Sequence, residues 1–240
     1  MQVRIGSLVK KFGEKTAVDI PEFKVGNGEI LGLVGNNGAG KTTLFLLMLD
    51  LLQATAGHVG LTAAAEEAQE IDPAKSEEWK LVTGAYIHEG FLIDFLTPEE
   101  YFNFIAKVNT IDEQTLNSRL EAFSSFMSGE ILGQNKLIRE FSAGNKQKIG
   151  IIGAMLNTPD LLILDEPFNF LDPSGQNCLK KLIRSYHEAT NATIFLSSHN
   201  LQHTVEVSTR IALLEHGHII KDLKNDGGNA AQELNDYFNV

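Results

Sequence analysis

The chain has 240 residues, long enough for one large domain or one domain with an inserted subdomain. Its 43% hydrophobic, 21% charged and 8% aromatic residues describe a soluble globular protein rather than a disordered one. A net charge of −11 argues against a protein that wraps nucleic acid or clings unaided to an anionic bilayer, and the single Cys178 excludes an internal disulfide.

Loose alternation of Val3, Ile5 and Leu8, punctuated by Gly13, Pro21 and Gly26, predicts short strands and turns over the first 30 residues. The run Ile30-Leu31-Gly32-Leu33-Val34 reads as a buried strand, and Thr42 to Leu52, apolar almost all round, as a core helix. Residues 60–80, rich in Ala and Glu with a turn at Asp72-Pro73, are expected at the surface, and Leu81 to Ile87 returns to strand composition. Thr97-Pro98-Glu99-Glu100 is a capping box that should open a helix. Leu116, Leu120, Phe123 and Met127 then mark one buried helical face, so residues 90–150 are expected to form a helical insertion.

Beyond it strand and helix alternate: Leu161 to Leu164, a helix after Asp172-Pro173, Thr193 to Ser197, Ile211 to Leu214, and Ile219-Ile220. This alternation predicts an α/β fold with a mostly parallel sheet. Gly227-Gly228 should release a short tail of weak helical potential. The apolar runs Leu44 to Leu49 and Ile149 to Leu156 fall short of the ~18 residues of a membrane span, and no secretory leader is legible, so a reducing cytoplasmic setting is expected. The sequon Asn191-Ala192-Thr193 is accordingly read as chance.

Gly35-Asn36-Asn37-Gly38-Ala39-Gly40-Lys41-Thr42 matches G-x-x-x-x-G-K-S/T between a predicted strand and a predicted helix. Its backbone N–H groups, from Gly38 to Thr43, can converge on phosphate oxygens at a helix N-terminus. Lys41 can reach the β- and γ-phosphates, and the Thr42 hydroxyl can meet Mg²⁺, which prefers oxygen ligands. Leu161-Leu162-Ile163-Leu164-Asp165-Glu166 is a buried strand ending in two carboxylates. Beside a phosphate loop, Asp165 would hold Mg²⁺, directly or through water, and Glu166 would act as general base on the water attacking the γ-phosphate. Alone, the pair reads more readily as a solvated acidic turn.

With these two motifs the chain resembles the nucleotide-binding subunit of an ATP-binding cassette (ABC) transporter, over roughly residues 3–222. Phe141-Ser142-Ala143-Gly144-Asn145 looks like a variant of the family's L-S-G-G-Q signature, with Phe141, Ala143 and Asn145 departing from it. The string alone would also serve as a Ser N-cap. The resemblance implies a P-loop NTPase core, 1–89 and 151–224, with an N-terminal antiparallel β subdomain, the inserted α-helical subdomain 90–150 and a tail, 225–240. It implies that Ser142 and Gly144 contact the γ-phosphate held by a second protomer, so that a head-to-tail homodimer closes on two ATPs. Phe12 would stack on adenine, or else be a hydrophobic hairpin residue. Asp172 would be the D-loop aspartate and a helix N-cap, with Phe170 where glycine is usual.

His199 would be the switch histidine. His203 follows at i+4, but Asn200 replaces the glutamate of H-E-x-x-H, so zinc protease chemistry is rejected. The family's Mg²⁺-sensing glutamine falls at His88 or Glu89; Glu89 is preferred because a carboxylate can address Mg²⁺ through water. The resemblance further implies a separate transmembrane permease, which would hold the chain on the inner face of the membrane, and an export direction; the apolar cluster Phe91, Leu92 and Phe95 is the candidate contact, or else part of the core. An ABC ATPase acting on translation or DNA is disfavoured by acidity and by the short insertion. A non-hydrolysing regulatory switch is the other alternative, opposed by Glu166 and His199.

Overall fold

The computed structural model describes residues 1–65, 68–225 and 229–238. Strands β1 (Gln2–Phe12) and β2 (Lys15–Val25) form an antiparallel hairpin in register from Val3↔Val25 to Phe12↔Lys15, with a bulge between Lys10 and Lys11. They are two long strands rather than the short ones predicted, because Pro21 lies on β2, the edge strand of its sheet, where a missing N–H is tolerated. Val3, Ile5 and Leu8 are buried together with Val18, Ile20 and Phe23.

After β3 (Ile30–Val34) comes α1 (Lys41–Met48), which stops four residues short of the predicted Leu52; Asp50 there adopts φ 49°. β4 (Ala56–Thr62) completes a three-stranded sheet of order β2-β1-β4. Residues 60–80 are therefore not simply surface. Leu61 bridges to Ile71, and Trp79 is buried within a 3₁₀ turn, Glu78–Leu81. That turn takes up Leu81, so the next strand, β5 (Thr83–Tyr86), is shorter than the predicted one.

Between β5 and β6 (Leu161–Leu164) the chain makes four α-helices, α2 (Pro98–Val108), α3 (Glu113–Ala122), α4 (Ser124–Met127) and α5 (Ala143–Met155), and two short 3₁₀ turns. The Thr97 capping box is formed: Thr97 Oγ1 accepts from Glu100 N–H at 3.2 Å while Glu100 Oε2 accepts from Thr97 N–H at 2.9 Å. Leu116, Leu120, Phe123 and Met127 are all buried, but the helix predicted through them breaks at Phe123 into α3 and α4.

Then follow α6 (Pro173–Thr190), β7 (Thr193–Ser198), α7 (Leu201–Val207), β8 (Arg210–Glu215), β9 (His218–Lys224) and α8 (Asn229–Phe238). The expectation of a weakly helical tail is corrected by α8. Its Ala230 and Leu234 are buried in a small cluster with Val34, Ile211 and Leu213, so packing supplies what propensity does not. Gly227-Gly228 lies outside the described residues.

The larger sheet has the order β5-β6-β7-β3-β8-β9 and is parallel except for β9. Its inner strands β3, β6 and β7 are buried along their whole length, which is why they read as largely apolar runs, with Ser197 and Ser198 ending β7. One face packs on α1 and the three-stranded sheet through Leu33, Phe45, Ile163 and Phe195; the other packs on helices through Ile152, Leu162, Leu179 and Ile194. Because β6, β7 and β3 are adjacent and parallel, their C-terminal ends deliver Asp165, His199 and Gly35 to one edge. That edge is where α/β sheets place ligands.

Candidate nucleotide site

The loop after β3 is held tightly on both sides. Ala39 N–H bonds Asn36 O at 3.1 Å, and Gly217 N–H, from the β8–β9 turn, bonds Ala39 O at 2.9 Å. Gly40, at φ 110°, passes so close to β2 that a Cβ there would lie 2.4 Å from Ala17 O. Only glycine fits. Lys41 is buried, and its Nζ donates to Gly35 O at 2.6 Å and lies 3.4 Å from Glu166 Oε1. Phe12, half exposed with Lys10 Nζ 5.0 Å above its ring, shares one cleft with Asn36, Asn37, Gly38, Ala39, Thr42, Thr43 and Glu166.

Asp165 is buried at the end of β6. Its Oδ2 accepts from Thr42 Oγ1 at 2.5 Å, its Oδ1 accepts from the Ser197 hydroxyl, and its N–H bonds Tyr86 O at 2.8 Å. Burial pushes its carboxyl above the usual carboxylate range, against the opposing pull of the two hydroxyl bonds and of Lys41. Thr42 and Asp165 thus present two hard oxygens at one point. Among the described residues no group of three or more His, Cys, Asp or Glu could hold an ion alone. A partial oxygen shell of this kind suits Mg²⁺, which keeps waters and bridges phosphates.

Glu166 has φ 46°, a left-handed conformation held by its N–H bond to Ser197 Oγ at 2.8 Å. Its Oε2 meets His199 Nδ1 at 2.9 Å and His199 N–H at 3.3 Å. From the opposite side the buried Gln147, on α5, donates from Nε2 to Pro167 O at 2.5 Å. Sequence reasoning missed Gln147 and Ser197 as supports; the available signal was a polar residue within an apolar helix and within an apolar strand. His203 packs on the Phe168 ring at 4.9 Å, and burial lowers its pKa.

Ser142 is exposed and caps α5, its Oγ accepting from Asn145 N–H at 3.3 Å. Gly144 lies against the backbone of the turn that follows the carboxylate pair, where a Cβ would come within 2.6 Å of Phe170 O. Both line a pocket with Phe170, Leu171 and Asp172, separate from the cleft of the phosphate loop. Asp172 caps α6 as predicted, accepting from Gly175 N–H at 2.9 Å.

His88 and Glu89 both reach the depression beside Asp165 and Glu166. There His88 Nδ1 accepts from Gly90 N–H at 3.0 Å, whereas the Glu89 carboxylate pairs with Lys146 Nζ at 3.4 Å. Phe91 and Phe95 are exposed, while Leu92 packs against the helical core.

The family described as ABC transporter matches residues 18–169. The bacitracin transport ATP-binding protein BcrA of Bacillus licheniformis is 32% identical over 234 residues, covering 93% of this chain and 70% of that protein. The lantibiotic transport ATP-binding protein SrtF of Streptococcus pyogenes is 28% identical over 232 residues, covering 97% and 95%. Among solved structures, an ATP-binding subunit of an ABC transporter superposes with TM-score 0.84 at 24% identity over 100% of both chains. A dimeric ATP-binding cassette bound to ADP and Pi gives TM-score 0.76 at 20% identity, covering 94% of this chain and 100% of that one, and these two likenesses bear on the fold. With the family match extending from β2 through the carboxylate turn, the chain belongs to the ABC transporter family of ATP-binding proteins.

Proposed function

We propose that this chain is the ATP-hydrolysing subunit of an exporter, working as a head-to-tail pair on a separate membrane permease. One observation carries the reading. Lys41, Thr42 and Glu166 line one cleft, with Asp165 bonded to Thr42 and His199 to Glu166, while Ser142 and Gly144 open onto a different pocket of the same chain. A second copy is then needed to bring the serine–glycine corner to the γ-phosphate. The dimeric cassettes among the structural relatives support such pairing.

In this mechanism the backbone from Gly35 to Thr43 receives the phosphates and Phe12 stacks on adenine. Lys41 exchanges a neutral carbonyl for anionic oxygens, a stronger class of hydrogen bond. Thr42 and Asp165 would hold Mg²⁺, which would supply charge neutralisation at the phosphates, and Glu89 would address it through water. Glu166 takes the proton of the attacking water, and His199, already bonded to the same carboxylate, orients it and reaches towards the γ-phosphate. Asp172 borders the pocket of Ser142 and joins the paired interface.

Among the described residues no helix is long and apolar enough to cross a membrane. The reading places the transmembrane path on the permease, docked near Phe91 and Phe95, and the chain on the inner face of the membrane. Export is supported by the relatives named for bacitracin and lantibiotic transport. Glu166→Gln tests the whole reading: hydrolysis should fall on the order of 10²–10⁴-fold, the usual worth of a general base. ATP binding should persist, and light scattering should show an ATP-dependent dimer. An unchanged turnover removes Glu166 from the chemistry.

A further inference from the structure

Phe170 is the most exposed large apolar side chain among the described residues, at 74%. Its backbone is fixed nonetheless. The carbonyl lies against Gly144, and the turn before it is closed by Asn169 N–H on Glu166 O at 3.1 Å and by Gln147 on Pro167 O at 2.5 Å. Its φ of 58° is left-handed, a region that side chains with a Cβ enter at an energetic cost. Every other non-glycine residue described at positive φ is polar. An aromatic ring held in this conformation and turned to water gains nothing within its own chain.

Phe170 stands on the ridge between two depressions, one shared with Ser142, Gly144 and Asp172 and the other with Asp165, Glu166 and Glu89. We propose that Phe170 is a dimer anchor, buried by the second copy of this chain when the pair closes on ATP. The proposal rests on the paired reading above and deepens it. Ser142 and Gly144 supply directed contacts to phosphate, and Phe170 supplies the apolar area continuous with them. Ser142, Asp172 and Ser174 make the polar rim that surrounds the aromatic centre of a protein–protein interface.

The test compares Glu166→Gln alone with Glu166→Gln/Phe170→Asn and Glu166→Gln/Phe170→Tyr, by light scattering against protein concentration in Mg²⁺-ATP, with thermal melts of the nucleotide-free chains. Asparagine tolerates the left-handed conformation, so the nucleotide-free midpoint should hold or rise. Each pair loses two anchors worth about tenfold apiece, so dimerisation should weaken on the order of 10²-fold. Tyrosine, which keeps the aromatic face, should retain the dimer. Equal dimerisation of all three variants overturns the anchor and leaves the paired reading standing. A lowered midpoint in the asparagine variant assigns Phe170 to packing within its own chain and also overturns the anchor. If Glu166→Gln alone shows no ATP-dependent dimer, the paired reading fails and the anchor with it.

Discussion

Replacing Gln147 by leucine keeps the side chain's volume and removes its one donor group. Gln147 Nε2 bonds Pro167 O at 2.5 Å and lies 3.4 Å from Glu166 O, in a buried setting where water cannot substitute. Stranding the Pro167 carbonyl costs about 1–3 kcal/mol. For a chain of this length that lowers the thermal midpoint by roughly 2–4 °C per kcal/mol, hence by about 2–12 °C. The turn it braces holds Glu166 in a left-handed conformation, aimed at His199 and Lys41. Relaxation there should reduce phosphate release at least ~10-fold, the scale on which loss of a supporting hydrogen bond acts. ATP affinity should be preserved, because Gln147 does not line the phosphate-loop cleft. Melts, single-turnover hydrolysis and calorimetry separate these effects. A leucine variant with unchanged midpoint and unchanged turnover would show that the brace carries no load.

Lys41→Ala should weaken ATP binding in Mg²⁺ buffer on the order of 10²-fold, since charge-assisted bonds to phosphate are worth ~2–3 kcal/mol; near-native affinity by calorimetry would contradict the loop assignment. Asp165→Asn should separate stability from chemistry. Burial raises the folded carboxyl's pKa, so ionisation at neutral pH opposes folding: the stability this group contributes is present below the ordinary carboxylate value and is lost as pH rises through the raised one. The amide should therefore leave the nucleotide-free midpoint equal or higher, and abolish that slope, while Mg²⁺-dependent turnover falls at least ~10²-fold. A clearly lower midpoint at neutral pH would reverse the sign.

The convergence of the glycine loop and the carboxylate pair was legible because its constraints are local. A glycine loop between strand and helix, and carboxylates at the end of an apolar strand, need only neighbours in sequence to be recognised. The parallel order β6-β7-β3 then brings Gly35, Asp165 and His199 together. What escaped depends on distant contacts. The tail reads as weakly helical because the surface that Ala230 and Leu234 cover is formed by Val34, Ile211 and Leu213. Trp79 sits in a polar stretch, and its burial follows from the tertiary packing of that turn. The apolar periodicity from Leu116 to Met127 foretold burial correctly but could not show the break at Phe123, since two short helices can share one face. Gln147 looks like an ordinary helix residue until the Pro167 carbonyl is placed beside it.

The 3.4 Å contact between Lys41 and Glu166 has a bearing on the order of events. Under the proposed function the ammonium faces the very carboxylate that would deprotonate water, so a triphosphate would compete with Glu166 for Lys41 and free the carboxylate as it binds. Loading and arming would thereby be one act, leaving the subunit reactive only when there is something to cleave.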